Sequence, residues 1–179
     1  RMAAQSALDG TAGTLCVGLI NYEVNGANGR DREQGARDAF AESGRARITA
    51  AVSTHPNAAS ARADTLAMLR THPEINVLIA LNETTAVGAA QAVQQMQRAD
   101  DLWLAAFDSN IETIDALQTG TVDALIVQNT YGMGYFGVES AYKAGQGSSV
   151  EKSNITATRT ITRENMFAMD KQKVLFPFG

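Results

Sequence analysis

The chain is poor in the residues that carry most enzyme and metal chemistry: one cysteine, two histidines and one tryptophan in 179 residues. Cys16 stands between Leu15 and Val17, so it closes no internal disulfide and reads as a small buried hydrophobe rather than a reactive thiol. His55 and His72 are each followed by proline, which places both in loops or at helix ends. With a single cysteine they form no metal-ligand cluster at recognisable spacing, so no metal is expected. Neither a Gly-x-Ser-x-Gly elbow nor a Walker phosphate loop is present, and a Ser-His-Asp site would have to use one of those loop histidines. An enzyme is therefore not expected, and no cofactor is implied. The formal charge of -4 and pI near 5.1 leave no basic surplus, and Lys and Arg are scattered, so nucleic acid is not an expected partner. No apolar run approaches the roughly 20 residues that span a bilayer. No signal peptide opens the chain, and Arg1 to Gln5 reads as one face of a helix, so the N-terminus is expected to be cut or missing.

What the sequence does have is 45% hydrophobic residues arranged in a regular alternation. Strand-length apolar runs fall at Thr14 to Ile20, Arg47 to Val52, Ile75 to Leu81, Leu102 to Phe107 and Ala124 to Gln128. Between them lie segments of helical period: Asn57 to Arg70, Thr84 to Arg98 and Ser109 to Gln118. Asn57 is a candidate N-cap, and Ser109 with Glu112 has capping-box spacing, with Gly120 just past the helix end. The alternation predicts an α/β protein with a parallel, Rossmann-like sheet. After Gly145 to Ser149, a linker-like stretch, Ile155 to Ile161 alternates like an exposed strand. A short tail helix near Arg163 to Met169 and a terminus containing Pro177 follow.

Gly132-Met-Gly134-Tyr-Phe-Gly137 spells a dinucleotide-binding pattern, but it follows the last of five strands instead of the first. Glu151, at about the right distance for a ribose contact, falls in a polar loop. The reading preferred here is that these glycines let a helix pack closely.

In an open parallel sheet, ligands bind beyond the carboxyl ends of the strands. The polar residues that follow the apolar runs are Asn82, Asp108 and Gln128, with Arg30 in the loop after Thr14 to Ile20. An amide, a carboxylate, a second amide and a guanidinium make a hydrogen-bonding set suited to vicinal hydroxyls. Asn82 and Asp108 are equally candidates for capping the helices that follow them.

At these positions the sequence resembles the ribose-binding type of periplasmic sugar-binding protein, a type I periplasmic binding protein whose C-terminal lobe shares its fold with LacI-type repressor cores. The segments that carry the resemblance are Gly29 to Phe40, His72 to Ala89, Ala106-Phe-Asp108 and Gln128 to Gly134, in family order. The tail segments Ile161 to Asn165 and Gln172 to Pro177 resemble transport proteins rather than repressors. The resemblance implies a sugar- or polyol-binding component of an ABC-type transporter in the bacterial periplasm, with a membrane permease as partner. It nominates Arg30, Asn82, Phe107, Asp108 and Gln128 as ligand residues. Glu83 stands where family members usually have Asp, Ala106 where they have Gly, and His55-Pro56 where ribose binders place a stacking aromatic. By the family pattern, residues 1–128 correspond to most of the C-terminal lobe, 129–154 to a crossover toward a first lobe that is absent, and 155–179 to a return strand and tail. The Tyr131 to Lys143 helix would then expose an apolar face and could self-associate. A different use of the same pocket, as the ligand-sensing domain of a LacI-type regulator or a membrane receptor, is the alternative.

Overall fold

Along the chain the elements are α1 (Met2–Gly10), β1 (Leu15–Asn21), α2 (Ala27–Ser43), β2 (Ala46–Ser53), α3 (Ala58–Thr71), β3 (Val77–Ala80) and α4 (Glu83–Gln95). They continue with β4 (Trp103–Phe107), α5 (Ile111–Thr119), β5 (Ala124–Gln128), α6 (Thr130–Gly145), β6 (Thr158–Thr162) and α7 (Met169–Leu175). The computed structural model describes residues 1–176; Pro177 of the tail motif lies outside them.

The strands form one sheet in the order β2-β1-β3-β4-β5-β6. β2 to β5 and β1 run parallel, while β6 pairs antiparallel with β5, Gln128 opposite Thr158. Helices on both faces explain why β3 is apolar at every position: Val77 and Ile79 pack on one side with Leu15, Leu19 and Phe40, Leu78 and Ala80 on the other with Leu69, Leu104 and Leu125. At the edge, β2 mixes half-buried and exposed residues instead, with none fully buried. Cys16 turns out half-buried rather than fully buried.

The caps differ in part from expectation. Asn57 caps α3 by accepting from the Ser60 N–H at 2.8 Å. α5, however, is capped by Asn110 and Thr113, whose side chains each accept the other's backbone N–H, at 2.8 and 3.0 Å. Ser109 and Glu112 are not its capping box, because the helix begins one residue later and an asparagine oxygen serves the N3 amide as well as a serine hydroxyl. The tail helix also lies further on, at α7, with Arg163 to Ala168 forming turns. In α6 only Gly132 is buried, and its neighbours Gly134 and Gly137 have open space where a β-carbon would be. The expected close packing of that glycine face does not occur within the described residues.

Candidate functional site

The sheet changes winding direction between β1 and β3, where β2 leads off one way and β3 to β5 the other. The carboxyl ends of these strands bring Asn82, Phe107, Asp108 and Gln128 to one end of the sheet. Asp108 directly follows β4 in a left-handed conformation, φ 61°. Asp tolerates that region better than most residues because its short polar side chain finds local partners. The backbone is held there by the Asp108 N–H donating to the Ile126 carbonyl of β5 at 2.9 Å. Its carboxylate does not cap α5; Oδ1 accepts instead from Gln128 Nε2 at 2.8 Å. Asp108 Oδ2 and Gln128 Oε1 have no hydrogen-bond partner among the described residues, and both residues are only half-buried. An acceptor pair therefore remains available at the end of β4 and β5.

Asn82 occupies the N-cap position of α4, and its backbone N–H donates to Thr85 Oγ1 at 3.0 Å. Its side-chain oxygen accepts from the Tyr22 N–H at 3.4 Å, tying the end of β3 to the chain leaving β1. That leaves the amide nitrogen of this buried residue without a hydrogen-bond partner among the described residues, and so with donor capacity to spare.

Arg30 is not in a loop. It lies in the first turn of α2, exposed, with Nη1 donating to the Asn25 carbonyl at 2.5 Å. Arg32 is the guanidinium that reaches the strand ends. Its Cζ lies over the Phe107 ring, 4.6 Å from the ring centre, and Nη1 donates to the Leu81 carbonyl at 2.9 Å. Two residues along a helix rotate a side chain by about 200°, so Arg30 and Arg32 cannot both face the sheet. Stacking on Phe107 and one hydrogen bond orient the guanidinium, while most of its five N–H groups have no partner among the described residues.

Asn21, which ends β1, is also buried here. Its Nδ2 donates to the Gly29 carbonyl at 3.2 Å and to Glu33 Oε2 at 3.1 Å, which fixes the first turn of α2 and so the direction of Arg32. Glu33 is in turn paired with Arg37 at 2.7 Å. The signal for Asn21 was in the sequence, an amide closing an apolar run in the same way as Asn82.

A concavity of about 750 Å³ lies at the opposite end of the sheet, between α1 and β6, with Asp9, Trp103, Asp123 and Glu164 on its wall. Burial pushes the Asp123 carboxyl up to about 6, although the Leu104 N–H and the charge of Arg163 favour its ionised form. It contains none of the expected ligand residues. The polar groups at the carboxyl ends, with unused donors beside unused acceptors among the described residues, are the better candidate.

The comparisons agree with this placement of the fold. A family profile described as "Periplasmic binding protein domain" matches residues 1–149. The D-ribose/D-allose-binding protein of Pseudomonas aeruginosa is 32% identical over 145 residues, 79% of this chain and 45% of that protein. A glucose-galactose binding protein from Geobacillus stearothermophilus has a crystal structure that superposes with a TM-score of 0.89 at 28% identity, covering 93% of this chain and 59% of the other. A carbohydrate transporter solute binding protein from Agrobacterium radiobacter, in complex with D-arabinose, has a TM-score of 0.93 at 23% identity, over 97% of this chain and 61% of that one; it speaks for the fold alone. The chain thus spans about half the length of the curated relatives it matches, 45% in the first case.

Proposed function

Because this chain belongs to the periplasmic binding protein family, we propose that it supplies one lobe of the solute-binding component of an ABC-type sugar transporter, and that this component captures a small sugar or polyol between two lobes. The observation that carries the reading is the convergence of Arg32, Asn82, Phe107, Asp108 and Gln128 at the carboxyl ends of β3, β4, β5 and beside α2. Their spare capacity is mixed, donors on Arg32 and Asn82, acceptors on Asp108 and Gln128, which suits hydroxyls that both give and accept. Phe107 offers an apolar wall and an anchor for Arg32. Nothing in this set is a nucleophile next to a base, and the role is binding without turnover.

On this reading residues 1–128 belong to the C-terminal lobe, 129–154 cross toward a first lobe and 155–179 return. The apolar surface of α6 and the greater length of the relatives support it. Hinge closure follows from the hydrogen bonding: a ligand that satisfies groups on both lobes binds the closed state better, and so selects it. The closed form would then be presented to a membrane permease at the outer face of the inner membrane.

The test uses the full-length protein and calorimetry with D-ribose, D-allose, D-glucose and D-galactose. Asp108→Asn is expected to weaken the tightest of these at least about tenfold, on the order of 1.4 kcal/mol, with Tm almost unchanged, since an amide accepts from Gln128 but carries no charge. Arg32→Ala should weaken it more, and Arg30→Ala by less than about twofold. Equal affinity for the parent protein and Asp108→Asn, or a larger loss at Arg30 than at Arg32, would move the site elsewhere.

A further inference from the structure

Asp108 reaches the candidate site from a linker of unusual constraint. Only Asp108, Ser109 and Asn110 separate β4 from α5, and the linker starts from a left-handed residue, a conformation that persists in a non-glycine residue only where its surroundings hold it. At its first residue the hold is the Ile126 carbonyl and the Gln128 amide. At its last residue it is the capping pair with Thr113, whose hydroxyl also lies 3.5 Å from the Asp108 carbonyl. The side-chain amino group of Asn110 then remains. Because its Oδ1 takes the Thr113 N–H, the Nδ2 must point the other way, and it donates to Glu83 Oε1 at 2.8 Å. Glu83 is the first residue of α4 and directly follows Asn82. A single charge-assisted bond thus ties the starts of α4 and α5 together across the end of the sheet, beside the ligand groups of both.

We propose that Glu83 is a positioning residue for ligand binding, holding Asn110 and through it the linker that aims the Asp108 carboxylate. The role rests on the site assigned under the proposed function. It differs from the ordinary service of an acidic residue in a first helical turn, which is to favour the helix dipole and which any carboxylate there performs. The two roles respond differently to chain length and charge. Glu83→Asp keeps the charge in the first turn of α4 but withdraws the carboxylate by about 1.5 Å, one C–C bond, out of reach of Asn110. Glu83→Gln keeps the reach and an accepting oxygen but removes the charge.

In the full-length protein, affinity is measured by calorimetry for whichever of D-ribose, D-allose, D-glucose and D-galactose binds the parent most tightly, with Tm alongside. Glu83→Asp is expected to weaken binding about fivefold at unchanged Tm, Glu83→Gln to restore it to within about twofold, and Glu83→Asp to add less than about 1.5-fold when Asp108 is already Asn. The positioning role is overturned if Glu83→Asp binds like the parent, if its fivefold loss persists in the Asp108→Asn background, or if Glu83→Asp and Glu83→Gln weaken binding alike with a lowered Tm. Asp108→Asn binding like the parent overturns the site and this role together. Asp108→Asn weakened beside an unaffected Glu83→Asp overturns this role alone.

Discussion

α4 and α6 begin alike and end in opposite surroundings. Each follows a buried parallel strand, starts from an asparagine at the N-cap and is built largely of small residues. In α4 seven residues are buried, and a β-carbon on Gly88 would come within 2.6 Å of the Ala58 carbonyl, the Ala61 side chain and the Arg62 nitrogen. In α6 Gly132 alone is buried, Val138 is 74% exposed and Tyr142 66%. The contrast teaches that composition sets what a helix can pack against, while the neighbouring chain decides whether it does. α3 covers α4; among the described residues nothing covers the apolar face of α6.

Hydrogen exchange on the 179-residue chain should show the largest difference. Amides in the middle of α4 should open only with global unfolding, and those of α6 near the low end of the local-opening scale, several kcal/mol apart. Equal protection would mean that α6 finds a partner, by self-association or otherwise. Next in size, Gly88→Val should destabilise the chain by about 3 kcal/mol, lowering Tm by on the order of 10 °C, because the obstructing atoms include backbone. Gly134→Ala, placed in open space, should do the reverse and raise helix stability by up to about 1 kcal/mol in the same chain. If a first lobe packs on α6, the gain should vanish in the full-length protein.

The smallest effect extends the contrast between covered and uncovered surface to charge. Asp123, half-buried just before β5, has its carboxyl pushed up to about 6 because burial disfavours its charge. Its folded pKa exceeds the unfolded value near 4, so the folded state binds its proton more tightly. Stability from this group is therefore fullest below about pH 4 and falls as pH rises toward 6. Asp123→Asn should remove that fall. Since the carboxylate is partly solvated, the expected gain at pH 7 is on the order of 1 kcal/mol, about 2–4 °C in Tm, with no gain at pH 4. Thermal melts at the two pH values check the sign.

The strands were legible because a parallel sheet covered on both faces demands continuous apolar runs, and the rule that ligands gather at the carboxyl ends led to Asn82, Asp108 and Gln128 before any geometry was known. Whether those residues contact a ligand is what Asp108→Asn decides. The alternation also indicated the α/β class, and the structure has it. Arg30 and Arg32 show where such reading stops. Both lie two positions apart in a polar stretch with a weak apolar stripe, and only the true start of α2 at Ala27 determines which one turns toward Phe107. Ser109 and Asn110 present the same difficulty, as adjacent residues that cap equally well. Asn21 is hidden for another reason: the run that ends at Ile20 directs a sequence reading to the loop beyond β1, although an amide buried at the strand end orients that loop.

β6 bears on how the chain is made. β5 is complete long before its outer neighbour exists, because α6 and the loop after it must be synthesised first. At about 5–20 residues per second, the edge of β5 stays bare for a matter of seconds on the ribosome. During that interval its unpaired N–H and C=O groups, on a strand of Ala124-Leu-Ile-Val127 with no charge, form a template for another chain. When it arrives, β6 pairs with that edge and brings Arg159 opposite Val127, so a strand made well after the one it covers also serves as a gatekeeper against aggregation.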